Sequence, residues 1–572
     1  MKKSIVLLLA LAMVLSVFLA GCQPKEAPTG TQEPSSEGEP AVEPAATIPG
    51  SERGNVLTIG DTSPEGIFNP NTYSAVYDHY IIELVFDKLL NIEENTELTT
   101  EGALAKDYKV SDDGLVYTFY LREGIKWHDG EEVTADDLVW TYNDILQPDY
   151  KGRGYTAVMQ SIVGAEDVKA GKAETAEGIK ALDKYTVEVT VTEAYATTLR
   201  DLGYLEIMPK HYYGGMTADE QANLNREPLG NGAFKLKKYE VDQYVELEAN
   251  KDYWQGPPKL DGIIYKVIAN VDQLSEFETG AVDAVNFEGS VENYETIKGD
   301  TFAHGDLINN MNNGYSYVGF NFKNPILADK NVRQALTYGL DRKGFVQSFF
   351  GDEGGFVCHA PVSPVSWAYP DVDKLNPYDY NPDKAAELLE ASGWKMGADG
   401  IREKDGKKLA LKWCSYNDAE WSMKITALAV EQWKKIGVDL TIELMDFNSL
   451  STLISDEGNA DKWDLWNMAW GLTADPDMYD VFSKTVFPPG NNRGFFENES
   501  IEKLMKDGLY EFDQEKRKEI YQELAIEFNE ELPYMFVYIR TNPWLVSKRV
   551  KNFNPTEFKD WSNESQLIEI VQ

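Results

Sequence analysis

Hydrophobic positions recur along this chain in two interleaved rhythms. Short period-two stretches rich in β-branched and aromatic residues predict strands with one face turned inward: "YTFYL" at Tyr117–Leu121, "YTVEVTV" at Tyr185–Val191 and "YVELEAN" at Tyr244–Asn250. Between them lie helical segments that carry their own start and stop signals. In "TADDLVWTYNDIL", Thr134 is the expected N-cap and Asp137, three residues on, completes a capping box. In "NPDKAAELLEASGW", Asn381 caps, Pro382 takes the first helical position and Gly393 stops the helix. Two late helices are predicted in "ESIEKLMKDGLYEF" and "QEKRKEIYQELAIEFNEELP", the second ended by Pro533. Strands and helices mixed throughout predict an α/β or α+β fold, and no tandem repeat of fixed period is present.

Several glycine-containing stretches invite a functional reading and read better as turns. Asp113–Gly114 and Asp129–Gly130 are turn pairs. "GIREKDGKK" at Gly400–Lys408 resembles a phosphate loop only superficially, because its spacing is wrong and the final Ser/Thr is missing. A hairpin turn is expected there. "GRGYTA" from Gly152 has no strand before it and reads as a loop.

The chain begins with Lys2 and Lys3, an apolar run from Ile5 to Leu19, and "LAGC" ending at Cys22. A charged start, a short apolar core and small residues before a cleavage point describe a secretory signal peptide. The run falls short of the ~20 residues that span a bilayer. Cysteine directly after "LAG" resembles the lipobox of bacterial lipoproteins, in which Cys22 becomes the lipidated first residue. Residues 23–50 hold six prolines and no aromatic residue. Such a segment cannot repay its ordering entropy and should act as a disordered tether with a reach of about 30 Å. The expected location is therefore extracytoplasmic, tethered to the cell membrane by lipid, at the cell surface or the periplasmic face.

Charge narrows the partners. The formal net charge is −41, of which residues 1–50 supply little, with three lysines against five glutamates. A field of that sign repels nucleic acid and anionic lipid, so no nucleic-acid partner is expected. A body of about 520 residues exceeds one core and predicts two or three domains. Beyond Cys22 only Cys358 and Cys414 remain; a disulfide and two buried free thiols are both open, the second being the simpler.

No catalytic signature is present. The chain lacks G-x-S-x-G and H-E-x-x-H, and its five histidines are scattered. A carboxylate pair for glycoside hydrolysis leaves no local motif, so a secreted hydrolase stands as the rival of a different class. No cofactor, no metal and no catalytic residue is expected.

Six blocks in order carry a resemblance. They are "LAKDYKVSDDGLVYTFYLREGIKWHDGEEVTADDLVWTYNDI" from Leu104, "LGNGAFKLKKY" from Leu229, "KDYWQGPPKLDGIIYKVI" from Lys251, "FETGAVDAV" from Phe277, "NVRQALTYGLDRKGFV" from Asn331 and "YNPDKAAELLEASGW" from Tyr380. Together they resemble the family 5 extracellular solute-binding proteins of ABC importers, the group of the oligopeptide- and dipeptide-binding proteins. The resemblance implies a two-lobed periplasmic-binding-protein-like α/β fold with an inserted domain and a hinge. Lobe I would take 51–95, 204–312 and 543–572, the inserted domain 96–203, and lobe II 313–542. It implies a monomeric, non-enzymatic subunit that captures peptides in the interlobe cleft and delivers them to a membrane permease with its ATPase. Oligosaccharides, and less so a nickel chelate, are the alternative ligands within the family; 13 Trp and 31 Tyr supply stacking surfaces for a sugar. Arg333 and Arg342 of these blocks are expected to make structural ion pairs.

For the ligand site, the resemblance points to "MAWGLTADPDMYD" at 468–480. Its Asp475 matches the family aspartate that meets a ligand ammonium, although Pro476 stands where tyrosine is usual. Asp477 and Asp480 are read as loop or helix-start residues. The spacing of the three acids, with no glycine between, does not suit an EF-type calcium loop. Trp470 is a candidate apolar wall, Tyr73 and Tyr77 of "NPNTYSAVYDHY" are candidates from the first lobe, and Arg493 of "GNNRGFF" is a candidate clamp for a carboxylate.

Overall fold

The computed structural model describes residues 49–93, 97–152, 154–269, 272–417 and 419–571. The signal peptide, the lipobox with Cys22 and nearly all of the 23–50 tether lie outside the described residues. Two large hydrophobic cores organise the rest. One draws its buried residues entirely from Tyr315–Ile539; the other draws them from Leu57–Tyr265 and Trp544–Ile568, with Ala284 and Leu509. The architecture is two-lobed and mixed α/β.

One long strand, Tyr534–Ser547, joins the lobes. Its first half pairs antiparallel with Gly314–Phe320, and its second half pairs with Gly305–Met311 and Ala284–Asn286. Strands Asp439–Met445, Ala410–Tyr416, Leu465–Gly471 and Gly314–Phe320 follow one another on one side of it. Ala284–Asn286, Val56–Asp61, Gly262–Val267, Tyr244–Ala249 and Phe234–Glu240 follow on the other. The chain crosses between the two halves at Asn312–Asn313 and again near Arg540, and the Asn312 amide donates to the Arg540 carbonyl at 2.9 Å. Two adjacent crossings form a hinge, in which small backbone rotations move whole lobes.

A separate four-stranded antiparallel sheet runs Ala105–Val110, Val116–Leu121, Thr186–Thr190, Ile179–Asp183. Strict alternation buries Tyr117, Phe119, Leu121, Val187 and Val189. The local signals read from sequence act as expected. Thr134 and Asp137 form the capping box of helix Ala135–Ile145. Asn381 accepts from the Lys384 amide, and Gly393 takes a left-handed conformation after helix Pro382–Ala391. Asp405 and Gly406, both at positive φ, turn the hairpin Arg402–Lys404/Lys407–Lys408, the geometry that matches strand twist.

The core beneath Tyr315–Ile539 is rich in tryptophan. Trp413, Trp433, Trp463 and Trp466 are almost fully buried, and the Nε1 atoms of Trp413 and Trp433 donate to Asn467 Oδ1 and to the Leu336 carbonyl. Truncating such a side chain to alanine costs about 3–5 kcal/mol. Gly319 lets the Trp466 ring cross its strand: a Cβ there would stand 2.2 Å from the ring.

Of two buried arginines, Arg333 makes the structural ion pair expected from sequence and Arg342 does not. Arg342 donates to the carbonyls of Cys358, Phe536 and Pro377 and has no carboxylate at ion-pair distance among the described residues. Arg333 is bound by the carbonyls of Leu327, Ala328, Glu531 and Leu532, with the Glu531 carboxylate 3.6 Å away. Both tie loops through their guanidinium donors, and Arg333 adds the ion pair to Glu531. A buried ion pair on the side of the other core is made by Asp283, which bonds Arg549 Nε at 2.7 Å, Arg53 and the Thr58 amide. Cys358 and Cys414 are both buried free thiols.

Candidate functional site

The stretch 468–480 leaves its sheet beside the hinge. The Leu472 amide donates to the Asn313 carbonyl at 2.8 Å, and Asn313 Nδ2 donates to the carbonyls of Leu472 and Thr473. Turns made by its acids carry the chain onward: Asp475 accepts from the Asp477 amide and Asp477 from the Tyr479 amide, each at 3.0 Å, leading into the short helix Tyr479–Phe482. Asp480 sits in the first turn of that helix, where its charge suits the N-terminus.

Asp475 is held by Arg517 of helix Gln514–Glu531 in a two-pronged pair, 2.6 Å from Nη1 and 2.9 Å from Nη2. Arg517 also donates to the Gly508 carbonyl and to the Tyr521 hydroxyl. With the Asp477 amide, Asp475 thus accepts three hydrogen bonds, one fewer than a carboxylate can take. Burial, reinforced by Asp475 and Asp480, pushes the Asp477 carboxyl up to about 7 against the Tyr479 amide.

Next to this segment a cavity of about 410 Å³ opens between the two cores. His79 and Glu83 reach it from helix Val76–Val85, Arg200, Asp201 and Tyr204 from the end of the four-stranded unit, Leu472–Ala474 from the hinge segment, and Glu557–Asp560 with Asn563 from the C-terminal region. None of the five residues expected from sequence lines this cavity, though Tyr73 and Asp475 adjoin residues that do. Tyr73 stacks on His79, with ring centres 4.8 Å apart at 13°. Tyr77 meets Tyr80 edge-on at 6.3 Å. Trp470 lies parallel to Tyr317 at 6.4 Å, and Asp475 follows Ala474. Arg493 Nη1 points at Met468 Sδ, 3.0 Å away, and no carboxylate pairs with it among the described residues. Its loop is fixed by Asn492, which is almost fully buried and donates to the carbonyls of Phe482, Ser483 and Phe496.

Electrostatics set the character of the cavity. Glu83 takes the Lys88 ammonium, Ser562 Oγ and Asn563 Nδ2, and Glu206 lies 3.4 Å from both Lys88 Nζ and His79 Nε2. His79, Glu83 and Asp560 bring three possible metal-ligand atoms within 4.8 Å of one another. The Lys88 ammonium already matches much of that negative charge. Burial pushes the Asp201 carboxyl up to about 7, with Arg200 opposing and Asp475, Asp477 and Asp480 adding to the rise. Burial and then Glu83 raise Asp560 to about 6. His79, Glu83, Asp201, Asp560 and Arg517 were not singled out from sequence. They come from four distant segments, and only His79 adjoined a stretch already marked, six residues after Tyr73.

Comparison with known proteins matches this frame. Residues 99–492 match the profile of the bacterial extracellular solute-binding proteins, family 5 Middle. The chain is 31% identical over 572 residues to the oligopeptide-binding protein AppA of Bacillus subtilis, covering 98% of each chain. The structure of Bacillus subtilis AppA in complex with a nonapeptide superposes with a TM-score of 0.77 at 29% identity, covering 90% of this chain and 99% of that one. Lactococcal OppA, in a closed conformation with an endogenous peptide, shares the fold with a TM-score of 0.78 at 24% identity, over 90% of this chain and 100% of that one. A match over most of the described chain, on a two-lobed frame with a cavity between its cores, places this protein in the family: it is a bacterial extracellular solute-binding protein of family 5.

Proposed function

We infer that the protein captures peptides between its lobes and delivers them to the permease of an ABC importer, without turning them over. The observation that carries this reading is the cavity lined by first-lobe residues and by Leu472–Ala474, beside a two-crossing hinge. Relatives named for oligopeptides, one with a bound nonapeptide, support it. Closure about the hinge removes ligand from water, and only ligands that contact both lobes favour the closed state. The lobes are taken as 51–95, 204–312 and 543–572 against 313–542, with 96–203 inserted; the concentration of one core within Tyr315–Ile539 supports that division. Lipidated Cys22 and the tether would hold the body, as a monomer, near the permease and its ATPase.

A peptide extending beyond the cavity would meet Trp470, Tyr73 and Tyr77 as aromatic walls and Arg493, which no carboxylate pairs among the described residues, as a clamp for its carboxylate. Asp475 keeps one acceptor position while bound to Arg517, enough to share a ligand ammonium. Calorimetry against pools of peptides and of oligosaccharides tests the reading. Heat and a raised unfolding temperature with peptides support it; a response to sugars and none to any peptide overturns it. Cleavage of bound peptide beyond one equivalent would overturn the non-enzymatic assignment.

A further inference from the structure

Two carboxylates in the interlobe cavity have no partner. Asp201 and Asp560 both line it, and among the described residues no donor bonds either side chain and no cation stands at ion-pair distance. The cations nearby are already engaged. Lys88 and His79 pair with Glu83 and Glu206 and attract Asp560 only from beyond ion-pair distance. Lys559 Nζ lies 3.4 Å from Glu564, and the Arg200 guanidinium lies over the Tyr204 ring at 5.6 Å, attracting Asp201 from beyond ion-pair distance. Asp475 behind Ala474 is matched by Arg517, but Asp477 and Asp480 add negative potential toward Asp201.

Closing the lobes would seal these carboxylates further from water, and an ionised carboxylate without a partner is costly there. A cationic ligand group removes that cost. Resting on the peptide reading above, we propose that this cavity selects peptides carrying a lysine or arginine side chain, with the cationic head against Asp201 and Asp560. The side-chain stem has apolar surface to follow on Tyr204, Ile92 and Leu472. The strongly negative body adds long-range attraction for the same ligands. Burial is the main cause of both raised carboxyls, the condition under which an unpaired charge is costly.

The test uses matched peptides that differ at one position, lysine against glutamine against glutamate, each with a free and an acetylated amino terminus. Acetylation separates the side-chain cation from the terminal ammonium. Calorimetry at low salt and pH 7.5 should find the lysine form about tenfold tighter than the glutamine form, the factor one modest charge pair supplies. The glutamate form should be weakest. Asp201→Asn and Asp560→Asn should each reduce the lysine-to-glutamine affinity ratio, with an unfolding temperature at or above that of the parent. Equal affinity of lysine and glutamine forms, or a ratio unmoved in both variants, overturns this inference and leaves peptide binding intact. Failure of every peptide to bind overturns both.

Discussion

Replacing Asp475 by alanine separates its structural from its ligand-facing role. The pair with Arg517 is two-pronged, at 2.6 and 2.9 Å, and largely buried, with side chains 14% and 7% exposed. Removing one partner of a buried pair costs about 3–5 kcal/mol. Arg517 keeps the Gly508 carbonyl and the Tyr521 hydroxyl, so the lower part of that range, about 3 kcal/mol, is expected. A body of about 520 residues unfolding in one transition has an entropy near 1.1 kcal/mol per degree, so the melting temperature should fall by about 3 °C. Arg517→Met should fall by a similar amount, and the double variant should fall by less than the sum, because the pair is lost only once. Binding discriminates further. Arg517→Met leaves Asp475 in place and should keep the preference for peptides with a free over an acetylated amino terminus; Asp475→Ala should lose it. Differential scanning calorimetry and titration calorimetry on the same four proteins provide both readouts. An Asp475→Ala protein with unchanged melting temperature would refute the pair as drawn. Equal losses for free and acetylated peptides would refute the ammonium contact.

Four further outcomes follow from the structure. Burial holds Asp61, Asp87, Asp201 and Asp477 near 7, above their unfolded values, so the folded state binds more protons than the unfolded one between about pH 4 and 7. Stability should therefore fall as pH rises through that window, which melting temperatures from pH 5 to 8 would check; a rise would contradict it. Affinity for lysine-bearing peptides should move the other way, growing as Asp201 and Asp560 ionise, and isothermal titration at pH 5.5 and 8 would show it. Asp283→Ala strands Arg549 and Arg53 in a buried site and should cost about 3–5 kcal/mol, read from denaturant unfolding. The Cys358 thiol is pushed up to about 12 and the Cys414 thiol to about 11 by burial, so a thiol reagent should count none in the native body from residue 23 onward and two in denaturant.

Local order was legible in the chain because local forces decide it. The Thr134–Asp137 box, the Asn381 cap with Pro382, the Asp405–Gly406 turn and the alternation of Tyr117–Leu121 each involve atoms a few residues apart. Six blocks in order likewise marked the family before any coordinate was known. The ligand cleft was different. Arg517, 42 positions from Asp475, decides how much of that aspartate a ligand can use, and no spacing announces the pair. Arg342 looked like one half of a salt bridge, yet the fold surrounds it with carbonyls. Asp201 and Asp560 became neighbours of one cavity only because the chain crosses twice at the hinge and returns its C-terminal segment to the first lobe. Their missing partners depend on where Lys88, Lys559 and Arg200 point after folding. Sequence alone determined which elements form and which family they belong to; the tertiary structure decided which charges meet, since Coulomb and desolvation energies depend on distance and burial rather than on order along the chain.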